Sequence, residues 1–513
     1  MACPDIEADS TRTSNREYAP LTWSSTDEIR RLQDVLANAD YTENGISTAL
    51  GTRDFRAHRG PDHAPWLRRT GGGSPLETLI RLFLLALPVE IEPARRAVAP
   101  SALETWVETG LIVIEGATAF AAVRLTPFQG FVLANDISGR DNVMIRPTFV
   151  MGVGSSSLTL ANLTIRLQSR RTLDLGTGCG LQAFLAAPHS DCVVAVDRNP
   201  RAVNVAAFNA ALNGLHNVEF LEGDRFAPVH GQTFDLIVSN PPFVISPNSL
   251  YSFRDSGISR DGICRDIVRE APTHLAEGGY CQILCNWAHI RGEDWRQRLA
   301  AWFEGTGCDA WVLRCETLTP DDYATTWIEH TERKDETTQS ELYDLWMNHY
   351  EQAGIEAISA GLITMRKAGG KQNWFCADDA PSRMLGTCGD AIAQGFVQRD
   401  LLNITHNDHD FLRQPLQVAP EVVLQTMFVP SADGWCVVKT ELQLTKGLAH
   451  TAEIQPQIAA LIAQCREGRP LGEVIGPGKS IDADTMNTLR QLVAQGFLLP
   501  GPVSDRISSA DYS

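Results

Sequence analysis

The sequence has no C-x-x-C pair, although it holds 12 cysteines. That absence removes the spacing on which zinc ribbons and thiol–disulfide exchange motifs are built. Several cysteines stand inside apolar runs, as Cys192, Cys281 and Cys436 do. There the expected role is that of a small buried hydrophobe, and a reduced, cytoplasmic setting fits such usage. A long hydrophobic run is missing too. The stretch from Leu79 to Ile91 is broken by Arg81, Pro88 and Glu90 and is too short to cross a bilayer, so no membrane partner is expected. Met1 to Asn15 lacks the basic start and the apolar stretch of a secretory signal. Bases are scarce: 44 Lys and Arg against 62 Asp and Glu leave a formal charge of −18. A polyphosphate is repelled by such a chain unless its bases cluster, which disfavours extended nucleic-acid binding and leaves a local basic groove open. The His/Asp-rich stretch Thr405 to Asp410 reads as solvated turn residues, and no metal is expected.

What is present is ordinary globular material, with 43% hydrophobic and 21% charged residues over 513 positions. That length predicts about three domains. Residues 1–20 form a polar tail expected to be disordered. Residues 21–137 carry helical signals at Asp27 to Ala39 and Glu77 to Leu87. A strand from Gly110 to Ile114, a turn at Glu115-Gly116 and an apolar run from Ala117 to Leu125 come next. Short helices before a hairpin outline a winged-helix-like domain. Residues 138–367 hold the chemistry, and residues 368–513 read as an α+β domain with strands at Glu421–Val429 and Gly434–Leu444. Its end, Pro456–Cys465, Leu471–Ile475 and Asp482–Gln495 before the apolar stretch from Gly496 to Pro500, again looks winged-helix-like. Neither copy has a helix rich in Lys or Arg, the footprint of a nucleic-acid reader.

Within residues 138–367 the chain is organised around Thr172-Leu-Asp174-Leu-Gly176-Thr177-Gly178-Cys-Gly180, a buried strand that breaks into glycines and then into an apolar helix, Leu181 to Ala187. Glycines without a Cβ let a ligand approach the backbone, and the helix start offers unpaired N–H groups. The spacing is G-x-G-x-G and not the dinucleotide G-x-G-x-x-G, which disfavours nicotinamide and flavin cofactors. A second strand, Cys192 to Asp197, ends in an acid where such crevices grip ribose hydroxyls. The helix Pro200–Asn213 comes after it, with Asn199 as N-cap. A third strand, Val218–Leu221, leads to Gly223-Asp224-Arg225, and a fourth, Phe234–Ser239, delivers Asn240-Pro241-Pro242-Phe243. Upstream, Phe149 to Ser157 leads into a helix, Leu158–Leu167, whose serines can cap it and whose end can face the cofactor, unless the stretch is an ordinary N-cap and loop.

D-L-G-T-G-C-G, a strand-terminal acid, G-D and N-P-P-F in this order resemble the class I S-adenosylmethionine-dependent methyltransferases, and within them the branch with an N-P-P-[FY] loop. That branch includes the HemK-like release-factor glutamine N5-methyltransferases and the N6-adenine methyltransferases. The resemblance implies an α/β fold with a seven-stranded doubly wound sheet, here flanked by the two further domains. It implies S-adenosyl-L-methionine as cofactor, with Asp174, Gly176, Thr177, Gly178 and Gly180 against its methionine part. Asp197 would bind the ribose diol and Asp224 face the adenine amino group, Arg198 and Arg225 would also contact the cofactor, and Asn240 would lie beside the methyl group. Asn240, Pro241, Pro242 and Phe243 are the catalytic candidates. Between the expected sixth strand, Ala310–Cys315, and seventh, Glu356–Met365, the helical stretch Asp321–Gln352 departs from the family's simplest pattern. It either covers the substrate mouth or lengthens the fold.

An amide or aromatic amine delocalises its nitrogen lone pair, so it attacks a sulfonium methyl only when held with that lone pair on the S–CH3 axis. Asn240 Oδ1 and the Pro241 carbonyl can accept the two N–H bonds of such an NH2 group, and Phe243 can press on its plane. Glutamine and adenine present the same planar group. The acidic charge favours a protein glutamine. RNA adenine is the alternative, with Tyr251, Phe253 and Arg254 as base-gripping candidates; a non-catalytic cofactor-binding scaffold is a third reading. The motifs carry no signal of oligomeric state.

Overall fold

A computed structural model of the chain describes residues 19–52, 54–55, 64–137, 148–247, 261–331, 336–432, 434–465, 469–476 and 481–501. The chain divides into two compact units. One holds Met1–Leu160, Gln168–Ala310 and Glu316–Asn373, the other Ala161–Leu167, Trp311–Cys315 and Trp374–Ser513. None of the described helices is long and apolar enough to cross a membrane.

The first unit is built on strands β1 (Ser169–Leu175), β2 (Ser190–Asp197), β3 (Val218–Glu222), β4 (Phe234–Ser239), β5 (Leu275–Ile290), β6 (Cys308–Leu318) and β7 (Ile355–Lys367). They neighbour one another in the order β3-β2-β1-β4-β5-β7-β6. β3, β2, β1, β4 and β5 are parallel, and β7 runs antiparallel to β5. This is the α/β sheet with a parallel centre expected from the motifs, but it has eight strands where seven were expected, because Phe375–Asp379 is added at the edge beside β6. Leu173, Val193, Val194 and Ile237 are fully buried, as parallel strands covered by helices on both faces require. The stretch Trp311–Cys315 of β6 belongs to the second unit, where Phe375–Asp379 lies beside it.

Amino-terminal to the sheet, Val89–Glu90, Thr118–Ala121 and Ile112–Glu115 form a three-stranded sheet with helices Thr26–Asn38, Glu43–Leu50 and Leu103–Glu108 nearby in sequence. The single apolar run expected from Ala117 to Leu125 is two strands. Thr118–Ala121 pairs back to Ile112–Glu115, whereas Val123–Phe128 pairs with Phe131–Asp136. The helix expected over Glu77–Leu87 starts at Pro75 under a Ser74 capping box and widens into a π turn over Ile80–Leu84, with Leu85 N–H donating to the Ile80 carbonyl.

This segment is stitched to the catalytic sheet through helix Pro200–Leu212. Asn199 caps that helix by accepting from Arg201 N–H, and Pro200 occupies its first turn. From the helix, Asn209 and Asn213 treat strand Phe131–Asp136 as a sheet neighbour would. Asn209 accepts from Ala134 N–H and donates to its carbonyl, and Asn213 does the same with Val132. Arg201 forms a buried ion pair with Asp136. A buried charge stands only where it is paired and hydrogen-bonded, and Asp136 meets that condition by also accepting from Val150 N–H.

In the second unit, helices Gly389–Ile404 and Ala483–Ala494 contribute to the fold, and Phe411, Leu416, Leu442, Leu489, Val493 and Phe497 belong to one core cluster. Leu498–Pro500 pairs with Leu416–Val418. Val422–Ser431 and Gly434–Leu444 form a long antiparallel hairpin, and Thr451–Glu453 pairs with the root of its second strand. In the His/Asp stretch, Asn407 caps helix Asp408–Leu412, and Asp408 pairs with Arg490.

Candidate active site

Register brings the motifs to one edge of the sheet. Leu175 of β1 lies beside Val196 of β2 and Ser239 of β4, and Asp197 lies beside Glu222 of β3. The loops at the ends of these strands therefore leave the sheet together. Between β1 and β4 the strand order reverses, which opens the crevice where α/β sheets bind ligands.

The turn after β1 is held by its own backbone. Gly176 and Thr177 N–H both donate to the Val196 carbonyl, and Gly180 N–H donates to that of Thr177. Gly176 and Gly178 take positive φ, and a Cβ built on either meets nothing within 4 Å, so both border open space. Gly180 differs. A Cβ there would come within 2.4 Å of the Phe184 ring, so this glycine makes room for helix packing.

Two acids clamp the turn. Asp174 is 1% exposed. Its Oδ2 accepts from Thr177 Oγ1 at 2.6 Å and from Ala183 N–H at 3.0 Å. Its Oδ1 is buried with no partner among the described residues. Burial pushes this carboxyl up to about 7, against the pull of those two donors. Asp197 Oδ2 accepts from Gly178 N–H at 2.9 Å and Oδ1 from Asn199 N–H at 2.9 Å. Burial raises its pKa as well, with Asn199, Gly178 and Arg198 opposing. An unpaired buried carboxylate oxygen beside glycines that border open space suits a ligand bearing an ammonium group, and the residues present fit the methionine end of S-adenosylmethionine.

Further along the edge, Asp224 is exposed, and Arg225 lies 3.4 Å from it, 3.6 Å from Asp266 and 3.9 Å from Glu270. Arg225 is thus engaged with the carboxylates of helix Gly262–Glu270. Arg198 is exposed.

After β4, Ser239 Oγ donates to the Leu175 carbonyl and fixes the strand end. Asn240 Nδ2 donates to Ser156 Oγ at 3.3 Å and to Ser157 Oγ at 3.4 Å, and Asn240 Oδ1 is buried without a partner among the described residues. The serine-rich start of helix Ser155–Leu163 therefore faces the N-P-P-F loop. Gln182, on the helix after the glycine turn, donates to the Ser157 carbonyl, so the two motifs meet through this segment. Pro241 is buried; Pro242 and Phe243 are half-buried.

The packing behind this loop was not legible in the motifs. Phe243 packs against a cluster that includes Val244, Ile245, Tyr323, Trp346 and Tyr350. Tyr350 Oη donates to the Ile245 carbonyl at 2.8 Å, and Tyr323 Oη accepts from Ile245 N–H at 3.2 Å and from Asn286 Nδ2 at 2.7 Å. Tyr323 and Tyr350 stand on helices Pro320–Thr331 and Glu336–Ala353, inserted between β6 and β7. That insertion carries the support of the loop. Its signal in the sequence was the i, i+4 aromatic spacing, Tyr323/Trp327 and Trp346/Tyr350. Tyr251, Phe253 and Arg254 lie outside the described residues.

Comparison with known proteins bears on the same stretch. A family model described as "Methyltransferase small domain" matches residues 152–304, and two models described as domains of unknown function match residues 38–123 and 393–500. The chain is 35% identical over 145 residues to the release factor glutamine methyltransferase of Escherichia coli, a match covering 25% of this chain and 50% of that one. With the ribosomal protein uL3 glutamine methyltransferase of Bradyrhizobium diazoefficiens it shares 38% over 128 residues, 22% of this chain and 40% of the other. With a Methanocaldococcus jannaschii protein described as a putative protein N5-glutamine methyltransferase it shares 36% over 137 residues, 25% of this chain and 68% of the other. The chain spans about half the length of the release-factor enzymes it matches.

Proposed function

Because this chain belongs to the class I S-adenosylmethionine-dependent methyltransferases of the N-P-P-[FY] branch, we propose that it methylates the side-chain nitrogen of a glutamine in a protein. The observation that carries the reading is Asn240 Oδ1, a buried acceptor without a partner among the described residues, whose amide is held from its other end by Ser156 and Ser157. A buried acceptor left unpaired costs free energy until a donor arrives, and a target N–H is such a donor. The names of the relatives favour protein glutamine over other planar amines.

S-adenosylmethionine, when bound, supplies a methyl group already activated by its sulfonium. Asp174, Gly176, Thr177, Gly178 and Gly180 would hold its methionine end, Asp197 with Arg198 its ribose, and Asp224 with Arg225 its adenine. Asn240 Oδ1 accepts one N–H of the target amide, and the Pro241 carbonyl accepts the second. Pro242 stiffens the turn, and Phe243 lies on the amide plane. Asn240 to Phe243 include no titratable side chain, so these residues bind and orient and carry no proton. The same reading keeps residues 21–137, 138–367 and 368–513 as three domains, with the catalytic one in the middle.

The test is transfer of labelled methyl from S-adenosylmethionine into a cell lysate, with separate protease and ribonuclease digestion and hydrolysis to free amino acids. The expected label is protease-sensitive and recovered as N5-methylglutamine. Label lost to ribonuclease and kept through protease would put adenine in place of glutamine.

A further inference from the structure

Strand Gly434–Leu444 leaves the core of the second unit at Thr440. Leu442 and Leu444 belong to the core cluster, and Thr440 shares their face, because side chains two apart along a strand point the same way. Thr440 is only 4% exposed, yet its Oγ1 has no hydrogen-bond partner among the described residues. Just beyond it the strand bulges: Lys439 lies opposite Met427 and Val437 opposite Phe428, so Val438 faces no residue of its own. A bulge bends its strand and re-aims side chains, and Val437 and Val438 both border a groove of about 440 Å³. The groove runs between Val437–Thr440, the segment from Glu453 to Pro456 and the start of helix Ala483–Ala494. Ile454 and Ile458, both of the core cluster, give it an apolar wall. Its charges are unbalanced. Lys439 pairs with Glu441, and Glu441 and Glu453 both hold its ammonium above the ordinary pKa. With Asp484 on the helix side, a single cation meets three carboxylates.

We propose that this groove binds an alkylammonium group, carried by a lysine side chain of a polypeptide or by a free polyamine. Thr440 Oγ1, Glu453 and Asp484 accept from the ammonium, and Val438, Ile454 and Ile458 take the alkyl stem, the division of labour that long cationic chains make on apolar surface. The lining selects this chemistry against the others. A wholly apolar ligand would leave the Thr440 hydroxyl unpaired, and a buried group in that state costs free energy until a partner arrives. An anion is repelled by the carboxylates. It also finds the start of helix Ala483–Ala494 already taken, since Asp482 accepts from Thr485 N–H at 2.8 Å and from Thr485 Oγ1 at 3.0 Å. A metal ion lacks ligands, because no group of three His, Cys, Asp or Glu side chains is gathered among the described residues. The volume lies toward the lower end of the roughly 300–1,000 Å³ of small-ligand sites, which is room for a side chain and the units around it. Every residue of the groove belongs to the second unit, so the proposal is independent of what the catalytic domain methylates.

The test is an NMR titration of the full chain, isotope-labelled at its isoleucine and valine methyl groups, with Nα-acetyl-lysine N-methylamide. Salt of about 150 mM screens attraction to the chain's overall charge. The methyl signals of Val437, Val438, Ile454 and Ile458 should shift together and saturate with a Kd of about 1 mM, ordinary for a probe of this size. The norleucine analogue, which lacks only the ammonium, should leave them in place. Glu453→Gln with Asp484→Asn should weaken binding about 10-fold. Thr440→Val should weaken it about fivefold, and Thr440→Ser should restore it. The Ile462 signal, in the core and away from the groove, checks that each variant stays folded. Spermidine in a parallel titration separates the two sources: tighter saturation by the lysine probe assigns the groove to a polypeptide, tighter saturation by spermidine to a free polyamine. The proposal is overturned if neither cation moves the groove signals at about 20-fold above the expected Kd. It is overturned equally if the norleucine analogue moves them as far, or if the charge-removing variant binds as wild type does.

Discussion

The two halves of the candidate site are built over different distances along the chain. On the cofactor side, Asp174 is tied to residues 3 and 9 positions away, and Asp197 reaches back 19 to Gly178. On the target side, Asn240 is held by side chains 84 and 83 positions upstream, and Ile245 by tyrosines 78 and 105 positions downstream. The first half is a turn that folds on its own strand ends. The second is a loop of prolines that has its shape only because two other parts of the fold close on it. Damage to one half should therefore be separable from damage to the other.

Removing the Asp197 carboxylate should give the largest loss on the cofactor side. It deletes the acceptor for Gly178 and Asn199 together with the proposed ribose contact. Asp197→Ala should weaken S-adenosylmethionine binding by calorimetry by about 1.5–3 kcal/mol, the usual range for a charge-assisted hydrogen bond. Unchanged affinity would mean that the Asp197 carboxylate does not hold the cofactor.

On the target side, Tyr323→Phe with Tyr350→Phe leaves the Ile245 N–H and carbonyl and Asn286 Nδ2 without their phenol partners. Cofactor affinity should hold, and single-turnover methyl transfer should slow by about 10-fold or more as the loop loses its position. Ser156→Ala with Ser157→Ala frees the far end of the Asn240 amide, a smaller change. Turnover should drop about fivefold, equivalent to about 1 kcal/mol, and Thr at the same positions should restore it. Loss of cofactor binding in either double variant would mean that the halves are not separable.

A separate effect is in stability and its pH dependence. Asp174 has a folded pKa of about 7 against an unfolded value near 3.9. The folded state thus holds a proton that the unfolded state releases. Relative stability is full below about pH 4, declines as pH rises toward 7 and is flat above that. Without cofactor, Asp174→Asn should remove this slope, so that the variant gains on wild type between pH 5 and pH 8 in urea titrations. Parallel curves would show that Asp174 is not buried as a carboxyl.

The same contrast explains what was legible in the sequence. The glycine turn, Asp197 at the end of β2 and the order of β1 to β5 come from contiguous patterns, since a parallel βαβ unit writes its strands and turn within a few dozen residues. Gly180 was legible as a glycine but not in its reason, because Phe184 comes around the helix to occupy the space of its Cβ. The support of the N-P-P-F loop was not legible, because Tyr323 and Tyr350 look like any apolar stripe until β6 and β7 fix where their helices lie. The break at Ala122 was hidden likewise: both strands on either side are apolar, and only pairing distinguishes them. Arg225, expected at the cofactor, is drawn toward Asp266 and Glu270 on a helix some forty residues later in the chain.

The role proposed for Asn240, orienting the target without holding the cofactor, is tested with Asn240→Ala. Single-turnover methyl transfer at saturating S-adenosylmethionine and calorimetry should be run on the same preparation. Cofactor affinity should stay within a few fold of wild type while transfer falls by about 100-fold or more, the cost of a misplaced reacting atom. Transfer at the wild-type rate would contradict the account, because the unpartnered Oδ1 of Asn240 would then be an accident of a structural turn.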